Sequence, residues 1–104
     1  MFSRRKAPRT LRGHVAPDPS GLCGVKIRLL RKTGRKCAFF SGGRERWRRT
    51  HLCWHGAFFK IGDRADWSYL LPKRLGRGRY RLEAYAIDGA INRGPIKRVR
   101  FRVR

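Results

Sequence analysis

Residues 79–87, Arg-Tyr-Arg-Leu-Glu-Ala-Tyr-Ala-Ile, decide the fold. Tyr80, Leu82, Ala84 and Ala86 leave one side of an extended chain, while Arg79, Arg81, Glu83 and Tyr85 leave the other. That period of two marks a strand with one face toward a core. Just upstream, Gly76 and Gly78 supply turn conformations that other residues resist. Downstream, residues 88–95 (DGAINRGP) form a turn, and Asp88 has the usual role of a carboxylate that caps backbone N–H groups. Val99, Phe101 and Val103 then alternate with Arg98, Arg100, Arg102 and Arg104, which gives a last strand.

The same period recurs toward the amino terminus. Val25, Ile27 and Leu29 oppose Lys26 and Arg28, and Leu30 breaks the polar face. A turn at residues 32–35 (KTGR) leads to a short run from Lys36 to Phe40, and residues 41–43 (SGG) form a loop. Residues 44–50 (RERWRRT) read either as an edge strand or as a loop. Residues 51–61 are extended in character, as are 66–71 and a short piece at 11–16 between Pro8 and Pro17. No stripe of period 3.6 occurs, and six or seven short strands separated by Gly and Pro turns predict an all-β sandwich or barrel.

The chain has 104 residues, enough for about one domain with one modest core. Lys and Arg number 28 and Asp and Glu 6, a net charge of +22. Even if every acid pairs with a base, most of that charge has no partner inside the chain, so it implies an anionic neighbour. Disorder does not explain the charge, since 12% of the residues are aromatic. Arg accounts for 21 of the bases and Lys for 7. The guanidinium fork suits phosphate and carboxylate, although a GC-rich genome also raises Arg everywhere. No stretch approaches the roughly 20 apolar residues of a membrane helix. Residues 1–6 (MFSRRK) have the charge of a signal peptide's start, but no apolar region follows them before Pro8. The expected setting is extracellular or cell-surface, as part of a longer parent, with a cytoplasmic location as the alternative.

Several motifs carry a resemblance. The run Leu75-Gly76-Arg77-Gly78-Arg79-Tyr80-Arg81-Leu82, followed by Ala86-Ile87-Asp88 and Asn92, resembles the final hairpin of immunoglobulin-like or fibronectin-type-III-like β-sandwich modules of bacterial surface and secreted proteins. Asp18-Pro19-Ser20-Gly21-Leu22 before Val25 is similar to the entry into their second strand. The centre, with Cys37-Ala38-Phe39-Phe40, Cys53, Phe58-Phe59 and Trp67, is similar to an Arg-rich actinobacterial-type subgroup. The resemblance implies an immunoglobulin-like antiparallel β-sandwich of about seven short strands over residues 10–104, behind a basic linker or disordered terminus at 1–9. It also implies that Tyr80 is a tyrosine corner and that Cys37 and Cys53 form a disulfide, a bridge worth about 3 kcal/mol for a loop of about 16 residues. Cys23 has no place in the pattern, and Leu82 stands where an antibody domain has cysteine. The implied role is a non-catalytic spacer, adhesion or accessory module.

The chemistry of the residues narrows the function further. No G-x-S-x-G, H-E-x-x-H or P-loop is present, and no enzyme activity or cofactor is expected. His51, Cys53 and His55 would share one face of a strand and with Cys37 make four zinc donors. Structural zinc sites present closely spaced pairs, however, and the cysteines here are too far apart in sequence, so no metal site is expected. The basic face remains. If the last two strands pair, Arg79 and Arg81 share a face with Arg98, Arg100 and Arg102, and only Glu83 relieves the crowding. Such a face fits cell-wall polymers such as teichoic acids, anionic lipid head groups or nucleic acid. For nucleic acid, Trp47 amid Arg46, Arg48 and Arg49 offers a stacking residue, although no RNP, KH, zinc-finger or helix-turn-helix signature accompanies it. A small intracellular nucleic-acid-binding protein is the competing reading.

Overall fold

Alternation becomes paired strands in the computed structural model, which describes residues 2–3, 6–16, 21–90 and 92–104. The regular elements are β1 (Thr10–His14), β2 (Leu22–Thr33), β3 (Lys36–Ser41), β4 (Arg46–Thr50), β5 (Phe59–Gly62), β6 (Asp66–Leu70), β7 (Gly78–Asp88) and β8 (Lys97–Val103). The protein is all-β, with two antiparallel sheets. One has the order β4-β3-β2-β7-β8 with β5 also on β2, and the other pairs β1 with β6. Residues 44–50 resolve in favour of an edge strand, because residues 46–50 pair with residues 37–41 of β3.

The long central strand explains how so many short ones fit. β7 runs along one edge of the 12-residue β2, while β5 takes residues 25–27 of the other edge and β3 takes residues 30–33. Val25, Ile27 and Leu29 point inward and are fully buried, each contributing about 1.5–3 kcal/mol by leaving water. Leu82 and Ala84 of β7 join them, and Leu11, Trp67 and Leu71 close the core from the side of the smaller sheet. At one end Phe40 packs edge-on against Trp47 and Tyr69, with ring centroids 5.7 and 6.1 Å apart.

Tyr80 is buried in this core and stacks on Phe101 at 5.2 Å. Its hydroxyl donates to the Gly76 carbonyl four residues upstream, at 2.7 Å. Burial pushes the phenol's pKa up, and the neighbouring Arg31 only partly opposes that. Asp88 caps its turn, with Oδ1 accepting from the N–H groups of Ala90 and Asn92 at 2.9 and 2.7 Å. The Asp18-Pro19-Ser20 part of the sequence motif lies outside the described residues.

Two segments differ from the sequence reading. Residues 51–58 are turns and irregular chain rather than strand, and β5 begins only at Phe59. His51, Cys53 and His55 therefore do not share a strand face, and the Cys53 sulfur is bonded to Cys37. Within residues 1–9, expected as a linker, the described positions contact the fold. Phe2 bridges Val103 in parallel, with Phe2 N–H donating to the Arg102 carbonyl and Arg104 N–H to the Phe2 carbonyl. Ala7 is buried, and the Arg9 guanidinium donates to the Leu71 carbonyl at 3.1 Å.

Candidate anion-binding site

The large sheet turns its second face away from the shared core, and the register builds that face in rows. Lys32 pairs with Arg79, and Arg79 with Arg102. The next row sets Leu30 beside Arg81 and Arg81 beside Arg100. The third sets Arg28 beside Glu83 and Glu83 beside Arg98. The five arginines expected to share a face, Arg79, Arg81, Arg98, Arg100 and Arg102, thus meet across β7 and β8. Each like-charge pair facing across strands costs some tenths of a kcal/mol.

Part of this face is roofed. The disulfide between Cys37 and Cys53, with Cα atoms 5.1 Å apart, pins residues 51–58 over it. Beneath this flap Leu30 is fully buried and Tyr85 nearly so, which explains the one apolar residue that interrupts the charged face of β2. Phe58 packs edge-on against Tyr85 at 4.8 Å and receives the Arg28 guanidinium 4.6 Å from its centroid. The flap lies close because Gly56 has no side chain: a Cβ there would stand 2.4 Å from that of Phe39. The Gly56 carbonyl also accepts from Arg28 Nη1 at 3.2 Å.

Glu83 sits under the edge of this roof, 1% exposed, held by the side chains of Arg28 and Arg98. Burial alone would push its carboxyl up, but the two guanidiniums outweigh that and hold it below the ordinary glutamate pKa. Glu83 is thereby consumed as a structural counter-ion. The other described acids lie elsewhere: Asp88 caps its turn, Asp66 bonds His14 at 2.6 Å, Glu45 accepts from the Tyr69 hydroxyl at 3.2 Å, and Asp63 is exposed just after β5. Among the described residues no carboxylate pairs with Lys32, Arg79, Arg100 or Arg102.

Beyond the roof the face opens into two hollows that share Arg79 and Arg102. One, of about 770 Å³, is bounded by Trp54, Arg79, Arg81, Arg100 and Arg102 and lies over the strands at Tyr80 and Phe101, whose rings turn to the core on the other face. The other, of about 630 Å³, continues past Lys32, Arg77 and Arg104 at the β2–β3 turn. The result is one basic track. No family model, curated protein or solved structure matches this chain. Among the described residues, the side chains of this track offer several forked donors and no carboxylate acceptor.

Trp47 lies away from this track. It is half-buried on the inner face, against Phe40 and Tyr80, with the Arg31 guanidinium 4.2 Å over its ring. The aromatic residue at the track is Trp54, which the sequence reading passed over. The Arg81 guanidinium holds its ring at 4.4 Å, and its backbone is left-handed, with φ of 65°. A bulky residue resists that conformation, so the surrounding contacts must impose it. Cys23 is an exposed free thiol, and among the described residues no group of three His, Cys, Asp or Glu side chains converges as a metal site would require.

Proposed function

We propose that this chain is a non-catalytic, immunoglobulin-like β-sandwich module that holds an anionic polymer on the open part of its basic sheet face. Support for the immunoglobulin-like topology comes from the order β4-β3-β2-β7-β8 opposite β1-β6, and from the Tyr80 hydroxyl bonded to a carbonyl four residues upstream at the start of β7. The Cys37–Cys53 bridge supports an oxidising setting, as in a surface or secreted protein.

One observation carries the binding function. Arg79 faces Arg102 and Arg81 faces Arg100 across neighbouring strands, and among the described residues the single acid on this face is spent on Arg28 and Arg98. A bound polyanion would relieve that repulsion. Replacing Arg79, Arg100 and Arg102 together with Gln tests it, with inorganic polyphosphate as the probe at about 0.15 M salt. Binding should weaken at least tenfold, and the dependence of log affinity on log salt should flatten by roughly two. Unchanged affinity and slope would leave the arginines as solvated surface and overturn the proposal.

A further inference from the structure

The polymer's chemical class can be narrowed by what surrounds the larger hollow. Trp54 is the aromatic side chain that stands beside the arginines there, since the stacked rings of Tyr80 and Phe101 pack into the core on the other face of the sheet. Two constraints hold it in place. The disulfide fixes the preceding residue, and the Arg81 guanidinium contacts its ring. The chain adopts a left-handed backbone at Trp54, and such strain persists only where neighbouring contacts over-determine it. An indole held in this way beside guanidiniums can stack on a planar ring, while the guanidiniums receive the charges that flank it.

The remaining donors and acceptors choose among polyanions. The Arg and Trp side chains around the hollow donate and do not accept, and the Tyr80 hydroxyl lies on the core side of the sheet, bonded to the Gly76 carbonyl. A glycan, even a sulfated one, carries hydroxyl donors that need acceptors. Polyphosphate and teichoic-type backbones have no aromatic ring for the indole. A single-stranded nucleic acid satisfies both halves, with bases that stack and phosphodiesters that only accept.

We infer that the open face binds single-stranded nucleic acid, with a base stacked on Trp54 and the flanking phosphates on Arg79, Arg81, Arg100 and Arg102. This rests on the anionic-polymer reading above and makes it specific. Along one strand the arginines repeat every two residues, roughly 6.8 Å, and the second hollow continues the track past Arg77 and Arg104, so the site spans several nucleotides rather than one.

The test uses the full chain with its disulfide intact and a fluorescein-labelled oligo(dT) of twelve nucleotides, read by anisotropy near physiological salt. A matching abasic oligomer and inorganic polyphosphate serve as ring-free probes. Trp54→Ala should weaken oligo(dT) binding roughly ten- to hundredfold while leaving both ring-free probes unchanged. Trp54→Phe should recover most of the loss, which a merely unfolded flap would not. Replacing Arg79 and Arg100 with Gln should weaken all three probes together. If Trp54→Ala leaves oligo(dT) untouched while the arginine variants still matter, the nucleic-acid inference fails and the polyanion reading stands. If heparin binds more tightly than oligo(dT) and it is heparin that depends on Trp54, the partner is an anionic glycan and the inference is overturned. If no variant affects any probe, both readings fall.

Discussion

Two rows on one face of one sheet, Arg28–Glu83–Arg98 and Lys32–Arg79–Arg102, are built from the same three strands, β2, β7 and β8. In the first, one carboxylate bridges two guanidiniums and the flap lies alongside. In the second, three cations stand in line with no acid between them. The local chemistry is otherwise alike, so the middle residue alone separates a structural cluster from a candidate binding surface. Glu at that position turns the row inward to the protein's own needs, and Arg leaves it dependent on something outside.

Removing the roof should have the largest effect. Cys37→Ser with Cys53→Ser is expected to cost about 3 kcal/mol in chemical denaturation, since the bridge closes a loop with a sequence separation of 16. It should also expose the buried Leu30 and Tyr85 to water, which hydrogen exchange at β2 and β7 would report. A stability loss below about 1 kcal/mol would mean that the flap stays down without the bridge.

Breaking the carboxylate-bridged row comes next. Glu83→Gln should destabilise the fold by about 2–3 kcal/mol, less than for a fully buried pair because the Arg98 side chain is 44% exposed. The pH dependence follows from the same group. Its folded pKa is depressed, so its contribution is present above the unfolded value near 4.3 and is lost as pH falls through the folded value. The wild-type chain should therefore lose stability below about pH 4.3, and the Gln variant should show a flatter acid limb there. Identical acid limbs would remove Glu83 from the account.

The smallest effect has the opposite sign. Arg79→Glu copies the carboxylate-bridged row into the all-cationic one, facing Arg102 on one side and Lys32 on the other. It should stabilise the fold by about 0.2–1 kcal/mol while weakening polyanion binding. Stabilisation without loss of binding would break the link between the two.

Much of the fold was legible because alternation survives into pairing. Residues 79–87, 25–29 and 99–103 formed strands as their alternation indicated, although Val99 at the start of the last one is 56% exposed rather than covered by the core. Trp47 shows how the same rule could have been applied more strictly. In Arg46-Trp47-Arg48 the tryptophan must leave the opposite face from its arginines, and that face is the core. The flap was not legible in this way, because residues 51–58 have no period of their own and their partner surface is assembled from β2, β3 and β7. Its traces were Leu30 on a charged face and the cysteine pair. Trp54 depends on the flap, so the aromatic half of the candidate site was hidden until the chain was folded, while the arginine half was visible from the start.

The parallel bridge between Phe2 and Val103 has a mechanical consequence. Residues 2 and 103 lie side by side with their backbone segments running in the same direction, tied by hydrogen bonds of 2.8 and 2.9 Å between Phe2 and residues 102 and 104. A pull on the chain before residue 2 and after residue 104 would act along the strands in opposite senses. Both bonds would then be loaded together in shear, rather than opened one after the other as in an unzipped hairpin. Under tension the first resistance would come from this short clasp, well before the disulfide or the core is reached.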